Sequence, residues 1–222
     1  MSPWRRRSFL PFSTTRKGHA SVADDATEAR RSALAGLDLG SRAGGAGGVL
    51  LGEGPAREGF VLRGPPGDEA FARAVEAALG TGLAREPGEV VENAEGALLI
   101  RLGPDEWRLI APLSDGGRMA ARLASALAGG RGALVNVSSA STVIAVSGAR
   151  AADLLATGTG IDLDPAAFPP GRALRTRIGN AQAFVHRKAD DAFELHIPRS
   201  YARSFWEWLE ERGREFDAAV AL

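Results

Sequence analysis

Of the three histidines in the chain, His186 and His196 fall in segments that can build a rigid site. They sit in two runs of strand-like pattern, residues 181–187 and 191–198, with Asp190-Asp191 at the turn between them. Two imidazoles facing each other across such a hairpin could act as a proton-transfer pair or begin a metal site. A metal would need a third ligand. Cysteine is absent, which excludes thiolate zinc, iron–sulfur ligation, a cysteine nucleophile and disulfides together. The preferred reading is therefore two satisfied or exposed strand histidines. His19 lies in the amino-terminal stretch, outside any expected element. The carboxylates Asp105-Glu106, Asp153 and Asp190-Asp191 fall at turns or on a helix surface, where turn chemistry accounts for them. No catalytic, cofactor-binding or metal-ligating residue is assigned.

The remaining informative side chains are aromatic. The last helical pattern, residues 200–216, places Tyr201, Phe205, Trp208, Leu209 and Phe216 on one apolar stripe, with Ser200 as its cap. Trp208 then faces the core and Trp206 points outward. A large aromatic on the outer side of an amphipathic helix suggests contact with another chain. Trp206, Tyr201 and Arg199 are the subunit-interface candidates.

The elements that position these residues recur. A first unit reads as strand 60–64, helix 68–79 capped by Asp68, strands 97–102 and 106–111 across Gly103-Pro104-Asp105, and helix 117–128. A second reads as strand 142–148, helix 149–156, strands 172–178, 181–187 and 191–198, then the last helix. The strand-end glycines Gly64 and Gly148 are 84 residues apart (148 − 64), and the aromatics Trp107 and Phe193 are 86 apart (193 − 107). Two offsets that agree argue for a duplicated unit of about 85 residues. The expected fold class is α+β: two tandem two-layer units, 28–130 and 131–222, each with short antiparallel strands covered on one face by two helices.

Outside these units, residues 1–27 read as a disordered basic arm, and 28–37 as a short helix. Arg6-Arg7 resembles an export signal, but the polar stretch 11–25 supplies no apolar segment after it. The glycines of 40–48 precede a strand at Val49-Leu50-Leu51 instead of following one, so they read as a linker and not a phosphate cradle. The 27 basic and 27 acidic side chains cancel, which gives no electrostatic reason to expect nucleic acid or an anionic membrane as partner. No apolar run approaches the ~20 residues of a membrane span. The expected location is the cytoplasm.

Leu102-Gly103-Pro104-Asp105-Glu106-Trp107, the segment 131–147, Phe168-Pro169-Pro170-Gly171 and Pro198-Arg199-Ser200-Tyr201-Ala202-Arg203 resemble sarcosine oxidase gamma subunits. The resemblance covers residues 32–216. It implies a non-catalytic subunit of a heterotetramer that demethylates sarcosine to glycine. FAD, FMN, NAD, zinc and tetrahydrofolate would belong to the other subunits, with alpha the chief partner beside beta and delta. A related assembly acting on another N-methyl amino acid, and a free-standing folate-binding protein, are the alternatives. The second unit also resembles the folate-binding module of aminomethyltransferase through Ser147-Gly148, Asp162 and Pro170-Gly171. The enzymes' Gly-Gly-Ile-x-Asp-Asp stretch, source of the catalytic carboxylate, aligns here with residues 182–187. His186 and Arg187 replace the carboxylates, which argues against one-carbon transfer by this chain.

Overall fold

The computed structural model describes residues 31–39, 47–130 and 132–221. The expected arm, 1–27, and most of the glycine-rich stretch lie outside them. The elements in chain order are β1 (Val49–Glu53), β2 (Arg57–Arg63), α1 (Glu69–Leu79), β3 (Val90–Glu92), β4 (Leu98–Arg101), β5 (Glu106–Pro112) and α2 (Gly116–Ala126). They continue as β6 (Ala133–Asn136), β7 (Ser141–Ser147), α3 (Ala151–Ala156), β8 (Arg172–Ile178), β9 (Ala181–Ala189), β10 (Ala192–Pro198), α4 (Ala202–Gly213) and β11 (Ala218–Val220). Short 3-10 turns occupy Ala35–Leu37, Arg199–Tyr201 and Arg214–Phe216. Of the helix expected over 28–37, the described part forms only the first of these turns.

Local signals set several boundaries. The Asp68 side chain accepts hydrogen bonds from the Ala70 and Phe71 amides, which fixes the start of α1. Gly80, at φ 70°, closes that helix in the left-handed conformation that a residue without Cβ takes freely. Buried residues on α1 recur at helical spacing, Phe71, Val75, Ala78 and Leu79.

The strands form two sheets. One runs β3-β4-β5-β2-β6, the other β11-β1-β7-β10-β9-β8. Within them, β3-β4-β5-β2 and β8-β9-β10-β7 have the same lateral order, and every neighbouring pair is antiparallel. Each unit also begins with a lead strand, β1 before β2 and β6 before β7. Val49 and Ala133 are 84 apart (133 − 49), as are Arg57 and Ser141 (141 − 57). The lead strands are exchanged: β6 pairs with β2, and β1 pairs with β7. Sheet membership thus crosses the 130/131 boundary in both directions, and Ser32–Leu222 is one compact unit.

Three apolar clusters define the layers. In the first, Phe60, Leu62, Leu99, Trp107 and Leu109 of one sheet meet side chains of α1 and α2. In the second, Ile144, Val146, Val185, Phe193 and Leu195 meet Leu154, Leu155, Phe205, Trp206 and Leu209. Strand alternation sends the intervening residues to the opposite faces. There the third cluster joins Leu98, Ile100 and Ile110 of the first sheet to Ala173 of the second, with Phe184 packed against it. The two sheets therefore meet back to back, with helices outside. The Ala173 amide donates to the Gly88 carbonyl at 2.9 Å, and Arg172 donates to the Pro87 carbonyl at 2.8 Å. Gly88 has φ 78°, and a Cβ there would lie 2.6 Å from the Ala173 carbonyl oxygen, so this crossing point requires glycine.

Candidate functional site

The inter-sheet face carries the polar residues that could do chemistry. Along β9 and β10, Phe184, His186, Glu194 and His196 occupy the positions that alternate with the helix-facing core. The register sets His186 opposite Glu194 and His196 opposite Phe184, so the two histidines are diagonal neighbours and do not oppose each other directly. Neither is satisfied or exposed in the expected sense. Both are buried, and His186 Nδ1 and His196 Nε2 have no hydrogen-bond partner among the described residues.

Glu194 is buried and accepts from Lys188 Nζ at 3.0 Å. Its other oxygen lies 4.0 Å from His186 Nδ1, beyond hydrogen-bond reach. Burial lowers the His186 pKa against the opposing pull of Glu194. Burial also pushes His196 down to about 4, so both rings are neutral near pH 7. The His196 ring meets Phe184 edge-on at 5.5 Å between centroids. Among the described residues, no group of three histidine, aspartate or glutamate side chains is arranged to hold a metal ion.

Arg187 does different work. It is 1% exposed and points to the helix side of the sheet, away from its neighbour His186. Its Nη1 donates to the carbonyls of Leu163 at 2.8 Å and Phe168 at 2.9 Å, and its Nε to Ala189 at 3.2 Å. Nη2 donates to the Asp190 carbonyl, and the guanidinium lies over the Phe193 ring at 5.1 Å. The side chain thus ties the loop between α3 and β8 to the β9–β10 turn. The positions aligned with the enzymes' carboxylates therefore face opposite ways, one as a buried crosslink and one between the sheets.

The interface candidates divide. Trp206 is fully buried in the second core, which corrects its expected outward orientation. The helix proper starts at Ala202, after the 3-10 turn Arg199–Tyr201, and its buried residues are Ala202, Phe205, Trp206, Leu209 and Gly213. That turn has about three residues per turn, so extending the 3.6 period back to Tyr201 rotated the expected stripe. Ser200 does not cap the helix; Tyr201 occupies the cap position without a side-chain bond. Trp208 is partly buried, stacked on Phe205 at 5.6 Å and lying against Gly158 and Gly179. Tyr201 is 48% exposed and Arg199 is exposed beside it.

Arg108 and Arg175 escaped the sequence reading. Each occupies the polar phase of an alternating strand, the pattern of a solvent-facing residue. The apposition of the two sheets turns that phase inward at Arg108 and leaves Arg175 exposed at the rim. Between the sheets Arg108, Arg175, Gln182, Phe184 and His196 line one cavity.

Comparison with known proteins fits this architecture. Residues 63–215 match the sarcosine oxidase, gamma subunit family. The sarcosine oxidase subunit gamma of Arthrobacter sp is 35% identical over 172 residues, covering 77% of this chain and 83% of that one. A chain of the heterotetrameric sarcosine oxidase from Corynebacterium sp. U-96, solved in complex with pyrrole 2-carboxylate, superposes with TM-score 0.76 and 28% identity. That match covers 87% of this chain and 99% of its counterpart. The glycine cleavage system aminomethyltransferase T from Bartonella henselae shares the fold at TM-score 0.62 and 18% identity, over 86% of this chain and 59% of the enzyme. By sequence and by fold, the chain belongs to the sarcosine oxidase gamma subunit family.

Proposed function

We propose that this chain is the gamma subunit of a cytoplasmic heterotetrameric sarcosine oxidase and supports its neighbours without catalysing a step itself. The observation that carries this reading is the superposition over 99% of a chain from the U-96 complex, at TM-score 0.76. The side-chain chemistry supports it. The carboxylate positions of the aminomethyltransferase pattern hold a neutral buried imidazole and a guanidinium that donates to four backbone carbonyls. Neither supplies the negative charge that would stabilise a developing cation on a substrate amine.

In this role the flavins FAD and FMN, the NAD, the zinc and the tetrahydrofolate site reside on the alpha, beta and delta subunits, and alpha is the main contact. Tyr201 and Arg199, exposed side by side before α4, are the surface offered to that contact. The complex would oxidise sarcosine to glycine, the methyl group leaving as formaldehyde or on tetrahydrofolate.

Expression of the tagged full-length chain in its native host, followed by affinity purification, tests the reading. The expected result is co-elution of a large partner with flavin absorbance near 450 nm and sarcosine-dependent hydrogen peroxide release. Elution of the chain without a flavoprotein would overturn it. Turnover of another N-methyl amino acid in preference to sarcosine would keep the subunit role and change the substrate.

A further inference from the structure

The back-to-back sheets leave a cavity of about 260 Å³ between them, several times the ~30 Å³ share of one water molecule. Its first-sheet wall includes Leu102 and Arg108, and its second-sheet wall Arg175, Gln182, Phe184 and His196. The charges on these walls do not balance. No hydrogen bond or ion pair engages the Arg108 guanidinium among the described residues, although burial and the nearby Arg175 both disfavour its charged form. The nearby carboxylate of Glu106 is already shared: one oxygen pairs with Arg63 and the other with Arg175 at 3.2 Å. A partly buried cation without a counter-ion costs free energy, which an incoming anion would recover. His196 adds a buried ring nitrogen, Nε2, with no hydrogen-bond partner among the described residues.

We propose that this cavity binds a small organic carboxylate, with its anionic end between Arg108 and Arg175 and a flat apolar body against Phe184 and Leu102. Guanidinium groups recognise carboxylates through paired, charge-assisted hydrogen bonds, and two of them at one end of an apolar slot select an acid over its neutral amide. Gln182 can bond to a polar substituent on the ligand body. Pro198 and Ala140 at one edge of the site adjoin the Arg199–Tyr201 turn, whose Arg199 amide donates to the Ala140 carbonyl at 3.1 Å, but the proposal does not depend on the subunit role.

The test uses 4-fluorobenzoate as probe and the full-length chain in whatever assembly it purifies, followed by fluorine NMR line broadening. Saturable binding is expected, weakening as salt rises. Arg108→Gln and Arg175→Gln should each reduce affinity about tenfold or more. The neutral 4-fluorobenzamide should not compete. Arg175 is 58% exposed on the outermost strand of its sheet, so Arg175→Gln keeps the test valid should Arg108→Gln fail to fold. Absence of saturable binding, equal binding of the amide, or affinity unchanged in Arg175→Gln would overturn the proposal. Co-elution with a flavoprotein is read separately, so the two ideas fail independently.

Discussion

Acid should weaken this fold through His196, and the size of the effect follows from its surroundings. The ring is 7% exposed, on the face of β10 that meets the first sheet. Burial is the main cause of its lowered pKa; Arg108, Arg57 and His186 add to it, and Glu194 opposes. The pKa falls from 6.5 to about 4 on folding. The unfolded chain therefore takes up this proton near pH 6.5, while the folded chain resists until near pH 4. The contribution to stability is complete above the unfolded value and is lost as pH falls through this window. The full shift corresponds to about 3 kcal/mol, of which about 2 kcal/mol disappears between pH 7 and pH 5. His196→Leu removes the titrating group at nearly constant volume. Because Nε2 has no hydrogen-bond partner to lose among the described residues, the variant should differ little from the parent at pH 8, by about 1 kcal/mol or less. Urea unfolding at several pH values between 5 and 8 would measure both proteins. The variant's profile should be flatter by about 2 kcal/mol over that range. His186 is lowered in the same direction, so the variant retains some acid sensitivity. Parallel pH profiles for the two proteins would refute the reasoning.

Other perturbations separate structural from partner-facing roles. Arg187→Met strips hydrogen bonds from the Leu163, Phe168 and Ala189 carbonyls and should destabilise the fold by about 3 kcal/mol, measured by chemical denaturation. Trp206→Ala empties a fully buried site and should cost about 3–5 kcal/mol, lowering soluble yield as well as stability. Tyr201→Ala should change stability by no more than about 0.5 kcal/mol yet reduce co-elution of the flavoprotein partner. Gly158→Ala would place a methyl group 2.5 Å from the Trp208 ring and should cost about 1–3 kcal/mol, visible as a lower Tm and altered tryptophan fluorescence.

The family likeness could be read from the sequence because it rests on short contiguous blocks, and residues 63–215 match the family that those blocks indicated. Periodicity located the principal helices and strands for a similarly local reason: the alternation 107, 109, 111 and the helical spacing 71, 75, 78 record which side of each element meets apolar neighbours. The Asp68 cap was legible because a cap acts within three residues. Offsets near 85 residues pointed to a repeat, and the matching strand orders follow them.

Long-range placement was not legible. β3, β6 and β11, of three or four residues each, carry too few positions for a period to show. Nothing local to 49–53 or 133–136 states that these strands cross to the opposite sheet, because a strand's partners are set by the sheets available to it. Trp206, expected outward, is buried, while Trp208 packs partly buried against the same core, because one 3-10 turn altered the phase of the helix. The sequence by itself therefore determined the family, the α+β class and the inward phase of each long element, all carried by neighbouring residues. Only the tertiary structure decided that the sheet faces turned away from the helices meet each other. That apposition buries His186, Glu194 and His196, and leaves Arg108 with no ion pair among the described residues, beside a cavity.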